Sequence, residues 1–169
     1  MRLYLVQHGE AVPESEDPRR PLTEAGRRDA ERVARLVVGR TGVRVGRIVH
    51  SGKLRAAQTA QVWASLLPGV PVEERDGLAP QDDPRVWADR VRAAEEDLLV
   101  VGHLPHLRRL ASLLLCGSAE GEAVAFAMGG IVGLERDDRT GRWTLRWAVP
   151  PELAPEPLGD PAGPPHGAG

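Results

Sequence analysis

The stretch Leu3-Tyr4-Leu5-Val6-Gln7-His8-Gly9-Glu10 decides the class of fold that we expect for this chain. Its first four residues form a continuous apolar run, which is typical of a β-strand buried on both faces of a parallel sheet. At Gln7 the run gives way to polar residues and glycine. Ligands bind beyond the carboxyl ends of the strands in an open parallel sheet, so the residues from Gln7 onwards are candidates for a functional site.

Two later apolar runs repeat this pattern of a buried strand followed by polar residues. Residues 47–50 lead into Ser51, and residues 98–101 lead into Gly102 and His103. Between the strands, apolar side chains recur at helical spacing. These stretches predict a helix capped by Thr23 that ends at Gly39, a helix over residues 54–67 that Pro68 stops, a helix that Asp83-Pro84 opens after a weak strand at residues 70–73, and a helix with Pro105 in its first turn.

The last part of the body predicts a β-hairpin. Residues 131–134 and 142–149 form two strand-like runs with a turn between them. In the second run, apolar residues alternate with mostly polar ones, which predicts that one face of the strand is apolar. The apolar set is Trp143, Leu145, Trp147 and Val149. Strand–helix alternation followed by a hairpin predicts an α/β fold, a three-layer α/β/α sandwich with a mostly parallel sheet and an antiparallel edge strand.

Length and composition indicate one globular domain with a C-terminal extension. The chain has 169 residues, of which 41% are hydrophobic, enough for one buried core. We assign residues 1–149 to the domain. Residues 150–169 are rich in Pro and Gly and have few residues that could form a core, so we assign them to a flexible or draped tail. The single cysteine, Cys116, excludes a disulfide framework, and we expect an inert thiol in the core.

Charge and hydropathy exclude two classes of partner. The formal net charge is −2, without the basic excess of a dedicated nucleic-acid-binding protein. No apolar run approaches the roughly 18 residues that a membrane span requires, so we expect no membrane partner. Since the start of the chain also lacks the pattern of a signal peptide, we expect a cytoplasmic protein.

Three predicted strand ends bring two histidines and an arginine to the same edge of the sheet. His8 follows the first strand, Arg55 follows the second, and His103 follows the fourth. A neutral imidazole nitrogen can attack phosphorus while an arginine and a second imidazole stabilise the phosphoryl oxygens. The set therefore favours phosphoryl transfer.

Other chemistries fit these residues less well. A zinc site needs a third or fourth ligand, and although Glu10 and His106 are candidates, their spacing matches no zinc motif. The sequence has neither the G-x-S-x-G elbow of serine hydrolases nor the G-x-x-x-x-G-K-[ST] loop of nucleotide hydrolases.

Four segments, in order along the chain, resemble motifs of the histidine phosphatase superfamily. They are Leu5-Val6-Gln7-His8-Gly9-Glu10, Pro21-Leu22-Thr23-Glu24-Ala25-Gly26, Ser51-Gly52-Lys53-Leu54-Arg55-Ala56-Ala57-Gln58-Thr59-Ala60 and Val100-Val101-Gly102-His103-Leu104-Pro105. They resemble the R-H-G signature, the P-L-T-x-x-G helix start, the S-x-x-x-R-A-x-Q-T-A segment and the second-histidine motif. The compact chain is most similar to the SixA-type phosphohistidine phosphatases, and the resemblance covers nearly all of residues 1–149.

The resemblance implies a role for each matching residue. His8 is the expected nucleophile, and Arg55 and His103 are expected to hold the phosphoryl oxygens. The expected substrate-binding residues are Gln7, Gly9, Arg20 and Ser51. Members of the family use neither a metal ion nor an organic cofactor, so we expect none here.

The resemblance also implies a substrate class. We expect removal of phosphate from phosphohistidine in a protein, with a role in signal transduction and a histidine-phosphorylated phosphotransfer domain as one partner. A phosphatase of small phosphate esters is the alternative. Many members take a proton donor from the loop after the third strand, where this chain offers Asp76, Asp82 and Asp83 without a clear match.

One position departs from the family pattern. Gln7 stands where the signature has arginine, so a neutral amide replaces a fixed cationic fork suited to phosphate. The loss of one charge-assisted contact costs about 1.5–3 kcal/mol, equivalent to roughly tenfold to a hundredfold in affinity or rate. A weakly active or inactive phosphoryl-binding module is therefore a second hypothesis.

Overall fold

The computed structural model describes residues 1–156. In chain order, its elements are β1 (Arg2–Gln7), α1 (Glu24–Thr41), β2 (Arg47–His50), α2 (Leu54–Leu66), β3 (Val72–Glu74), α3 (Pro84–Ala93), β4 (Leu98–Gly102), α4 (His106–Cys116), β5 (Ile131–Arg136) and β6 (Trp143–Val149), followed by a short 3-10 helix (Pro151–Leu153). The predicted strand–helix alternation and the final hairpin are both present.

The six strands form one mixed sheet in the order β3-β2-β4-β1-β5-β6. The first four strands of that order are parallel, β5 runs antiparallel to β1, and β6 runs antiparallel to β5. The prediction of a mostly parallel α/β sheet is confirmed. The antiparallel strand β5 lies one position inside the edge, because the first strand of the hairpin pairs with β1 and leaves β6 outermost.

Side chains of the central strands alternate between two hydrophobic cores. In β1, Tyr4 and Val6 face the core that α1 and α2 cover, whereas Leu3 and Leu5 face the core that α3 and α4 cover. All four are at most 3% exposed. Strands buried on both faces explain the continuous apolar runs of the sequence, and the three-layer prediction holds.

The prediction of one apolar face for β6 is wrong. Gly133 pairs with Trp147 but Leu134 pairs with Leu145, so Arg146 is an extra residue in the ladder. Because a one-residue bulge reverses the alternation, Trp143 packs into the core of α3 and α4, whereas Trp147 packs against the other core.

Two further predictions about helices are corrected. Helix α1 continues past Gly39 to Thr41, and Gly42 ends it with a left-handed φ of 61°. Cys116 is exposed rather than in the core. It lies nine residues after the buried Leu107, about half a turn around the helix, so it faces away from the core.

Residues 150–156, at the start of the segment predicted as a tail, pack against α1. Arg32 of α1 donates hydrogen bonds to the backbone oxygens of Pro151, Ala154 and Pro155. Ala154 is 2% exposed. The remainder of that segment, residues 157–169, lies outside the described residues, and the boundary at residue 149 stays a prediction.

The part of the chain that the structure describes contains no helix long and apolar enough to cross a membrane.

Candidate active site

His8 lies directly beyond the carboxyl end of β1, where its backbone N–H bonds to the oxygen of Gly102 at 3.1 Å. Its side chain is buried, and Nδ1 lies 2.7 Å from the backbone oxygen of Gly9. Since a carbonyl oxygen only accepts, Nδ1 carries the proton in this hydrogen bond. The neutral ring therefore has a lone pair on Nε2.

Arg55 and His103 surround that lone pair. The Nε–H of Arg55 donates to His8 Nε2 at 3.3 Å. The ring centroids of His8 and His103 are 4.9 Å apart. Because Arg55 lies in the first turn of α2, the positive end of the helix dipole adds to its charge. The three side chains predicted to converge are thus brought together.

His103 is almost fully buried and contacts the end of β2 through Ser51. Ser51 Oγ and His103 Nε2 are 2.6 Å apart. Burial and, to a lesser extent, the neighbouring His8, Arg55 and Lys53 together lower the pKa of His103 to about 3. His103 is therefore neutral at physiological pH in the ligand-free protein.

Arg20 approaches the same site from the loop between β1 and α1. Its backbone has a φ of 51°, rare for a residue other than glycine, and its Nε donates to the oxygen of Val12 at 3.2 Å. Burial lowers the pKa of His8 and of Arg55, and the Arg20 charge lowers both further. A residue held in a strained conformation beside reactive groups is a mark of functional sites.

Two side chains of α2 fix the loops that carry these groups. Thr59 Oγ1 accepts from the Gly9 N–H at 3.1 Å and donates to the Arg55 oxygen at 2.8 Å, so one hydroxyl links the loop of His8 to the turn of Arg55. Gln58 Oε1 accepts from the Leu22 N–H at 2.7 Å. The sequence motif contained both residues, but sequence reasoning gave neither a role, because the partner atoms belong to the backbone.

The start of α1 presses directly on the loop after His8. Thr23 caps the helix by accepting from the Gly26 N–H at 2.9 Å and donates to Glu10 Oε2 at 2.7 Å. A Cβ on Gly9 would lie 2.6 Å from the Gly26 oxygen, and one on Gly26 would overlap the backbone of Glu10. Gly9, which was predicted to bind substrate, therefore lies where the backbone of the loop after His8 passes close to the backbone of α1.

Comparison with known proteins agrees with this geometry. Residues 3–82 match the family model of the histidine phosphatase superfamily (branch 1). An uncharacterized protein of Picosynechococcus sp. is 33% identical over 141 residues, which cover 79% of this chain and 84% of that protein. The chain belongs to the histidine phosphatase superfamily.

Solved structures of SixA proteins share the fold of this histidine phosphatase. The protein histidine phosphatase SixA complexed with tungstate is 27% identical, with a TM-score of 0.77 over 89% of this chain and 97% of that one. A putative phosphohistidine phosphatase SixA from Agrobacterium tumefaciens is 25% identical, with a TM-score of 0.71 over 88% and 96%. The chain is therefore SixA-like within its superfamily.

Gln7, the departure from the family motif, is 6% exposed at the end of β1. Its backbone oxygen accepts from the Gly129 N–H at 3.0 Å. Within residues 1–156, its side-chain Oε1 is buried without a hydrogen-bond partner. A buried acceptor without a partner is costly, and such exceptions are concentrated where a protein binds or reacts.

The three aspartates considered as proton donors do not contact His8 through any hydrogen bond in the described residues. Asp82 Oδ2 accepts from the Ala79 N–H at 2.8 Å, and Asp83 caps α3. Asp76 uses its backbone oxygen to accept from Trp87. Sequence reasoning missed Glu14. Its negative charge raises the pKa of Arg55, whereas burial lowers it.

His106, weighed as an extra zinc ligand, is fully buried in α4. In the same residues, no three His, Cys, Asp or Glu side chains cluster in a way that could hold a metal ion.

Proposed function

We propose that this member of the superfamily is a metal-independent phosphatase that forms a phosphohistidine intermediate on His8. One observation carries the proposal. The Gly9 oxygen holds the His8 proton on Nδ1, so Nε2 presents its lone pair beside the Arg55 guanidinium. A buried neutral imidazole with a fixed tautomer is the arrangement that a nitrogen nucleophile requires.

In the first step, His8 Nε2 forms a bond to phosphorus while the bond from phosphorus to the leaving group breaks. The leaving atom takes up a proton from solvent water, and Arg55 and His103 stabilise the phosphoryl oxygens. In the second step, water attacks phosphorus and the Nε2–P bond breaks. Inorganic phosphate leaves with the hydroxyl group of that water, the other proton of the water is released to solvent, and His8 regains its lone pair.

We infer that phosphohistidine in a protein is the substrate. An imidazole leaving group of a phosphoramidate departs more readily than an alkoxide, so it makes less demand on a general acid. Of the two similar SixA proteins, one is a protein histidine phosphatase and the other a putative phosphohistidine phosphatase, which adds support.

The inferred partner is a phosphorylated protein, for which a histidine-phosphorylated phosphotransfer domain is a suitable class. A cytoplasmic location and a role in signal transduction belong to the same proposal and rest on the family resemblance. The observation that favours a second candidate, a weakly active phosphoryl-binding module, is Gln7 in place of arginine. Hydrolysis of small phosphate esters is the remaining alternative for the substrate.

Turnover of a phosphohistidine protein and of an aryl phosphate, each with and without a chelator, tests the proposal. We expect a higher kcat/KM for the phosphohistidine protein, no effect of the chelator, and inhibition by vanadate. A strict requirement for added metal contradicts the mechanism, and preference for the aryl phosphate favours the small-ester alternative. Binding of phosphate without turnover of either substrate favours the binding module.

A further inference from the structure

Ser51 contacts the second histidine of the site rather than an open surface. It follows β2, whose neighbour β4 leads into His103, and its Oγ is 2.6 Å from His103 Nε2. Among the residues that the structure describes, this is the one side-chain hydrogen bond that Ser51 makes. His103 is 1% exposed, and its Nδ1 is buried without a partner.

The contact between Ser51 and His103 admits two proton arrangements. Either the hydroxyl donates to Nε2 and the ring proton lies on Nδ1, or Nε2–H donates and Nδ1 has a lone pair. The surroundings favour the first arrangement. Nδ1 is the nitrogen that has no partner within residues 1–156, in a ring whose centroid lies 4.9 Å from that of His8, so we take it as the nitrogen that meets a ligand of the site. An anion held by Arg55 beside His8 offers acceptor oxygens only, so an N–H on Nδ1 would complement it and a lone pair would repel it.

We propose that Ser51 is a positioning residue that sets the tautomer of His103. Its hydroxyl donates to Nε2, fixes the ring proton on Nδ1, and makes His103 a neutral hydrogen-bond donor toward a phosphoryl oxygen. The identity of that ligand rests on the proposed function. In this proposal Ser51 acts on the ligand through His103, whereas the expectation that Ser51 itself binds substrate stays a prediction.

In this proposal both histidines of the site carry their proton on Nδ1, but His8 faces the phosphoryl group with Nε2 and His103 faces it with Nδ1. The Gly9 oxygen holds the proton on Nδ1 of His8 and leaves a lone pair on Nε2 for attack. The Ser51 hydroxyl occupies Nε2 of His103 and leaves the proton on Nδ1 for donation. One ring is prepared as a nucleophile and the other as a donor.

The charges around His103 favour its neutral form, so a neighbouring group can act on its tautomer rather than on its protonation state. After burial, His8 from β1, Lys53 and Arg55 from the start of α2, and His106 from α4 all lower its pKa. Among residues 1–156, no carboxylate offsets them. The protonated form of His103 is therefore disfavoured by all of these groups. What remains to be determined is which ring nitrogen carries the proton of the neutral form.

Long-range proton–nitrogen NMR spectra of the ¹⁵N-histidine-labelled protein test the proposal without any turnover. We expect the proton of His103 on Nδ1 in the wild type and in Ser51→Thr. We expect a mixture of tautomers in Ser51→Ala, with affinity for inorganic phosphate about tenfold weaker, the order of one hydrogen bond. Ser65→Ala is the matched control, because Ser65 bonds within α2 to Val62.

A proton on Nε2 of His103 in the wild type overturns the proposal, as does an unchanged tautomer in Ser51→Ala. The wild-type spectrum and Ser51→Thr decide the outcome even where Ser51→Ala fails to fold. If the tautomers are as expected but no phosphate ester or phosphohistidine protein is hydrolysed, the proposed function fails and the assignment of Ser51 stands.

Discussion

Gln7 is the residue at which this chain differs from its family, and Arg20 is the cation placed to offset the difference. Arg20 lies close enough to lower the pKa of both His8 and Arg55 after burial has done so. Its side chain is held by the Val12 oxygen. The positive charge that the family supplies from position 7 can therefore come from the neighbouring loop.

The first prediction is a coupling between these two positions. Gln7→Arg restores a cationic fork, so we expect kcat/KM to rise roughly tenfold, the order of one charge-assisted hydrogen bond. We expect Arg20→Ala to lower kcat/KM roughly tenfold to a hundredfold, and Gln7→Arg to raise kcat/KM by a larger factor in the Arg20→Ala background than in the wild type. Arg19→Ala is the control, since exposed Arg19 pairs with Asp17 beside it.

Steady-state kinetics of the four proteins in this cycle measure the coupling. Additive effects in the double variant would show that Arg20 does not compensate for Gln7. A loss of activity in Gln7→Arg would show instead that Gln7 is adapted to the substrate of this protein, and that it is not a defect.

At the residue scale, the sequence predicted which side chains meet at the candidate site but not the groups that hold them in place. His8, Arg55 and His103 could be placed because each follows a buried strand, and parallel strands end at one edge. The link from Thr59 to Gly9 could not be predicted, because it joins residues 50 positions apart through a backbone atom. The left-handed backbone of Arg20 likewise has no signal in the residue type.

At the scale of elements, α1 carries two glycines with different surroundings. A Cβ on Gly26 would overlap the backbone of Glu10, two residues beyond His8, whereas a Cβ on Gly39 would meet nothing within 4 Å. Both lie in the same helix, so a change to alanine has the same effect on helix propensity at each position. They therefore form a matched pair for measuring the close approach.

The second prediction uses this pair. We expect Gly39→Ala to raise the free energy of unfolding by roughly 0.5–1 kcal/mol, because alanine favours the helix. We expect Gly26→Ala to lower it by about 2 kcal/mol and to lower kcat, because the loop of His8 must move. Urea denaturation and kinetics of both variants check this. Equal free energies of unfolding for Gly26→Ala and Gly39→Ala would contradict the close contact between Gly26 and the backbone of Glu10.

The starts of helices could be predicted from residues close in sequence, whereas features that depend on the pairing register of two strands could not. The caps at Thr23 and Asp83 form as expected, because each accepts from a nearby N–H. The bulge at Arg146 was missed because it depends on the register of β6 against β5, which the alternation within β6 does not contain. The end of α1 was misplaced because Gly39 fits within a helix as well as after one.

For the whole molecule, buried neutral histidines link folding to pH. Burial lowers the pKa of His8, of His106 and of His103, the last to about 3. In the unfolded chain these groups bind protons near their ordinary pKa of about 6.5. Below that pH the unfolded state therefore holds more protons than the folded state, and acid favours unfolding.

The third prediction is that the free energy of unfolding is constant above about pH 7 and falls as the pH drops below about 6.5. The fall continues toward pH 3, where His103 is also protonated in the folded state. We expect His106→Leu to reduce the fall, because it removes a fully buried histidine whose pKa is lowered by burial. Urea denaturation between pH 4 and 8, as an approximate range, measures both slopes. Identical slopes in His106→Leu and the wild type would contradict the assignment to His106.

The central claim is that His8 itself becomes phosphorylated, and trapping the intermediate tests it most directly. The protein is mixed with labelled phosphohistidine substrate, quenched rapidly in base, and analysed for label on His8. We predict one acid-labile, base-stable phosphoryl group on His8, none in His8→Ala, and a loss of at least about 10³ in kcat for that variant, because no other described group can form the intermediate. Label on a different residue, or a His8→Ala variant that keeps most of its activity, would contradict the account.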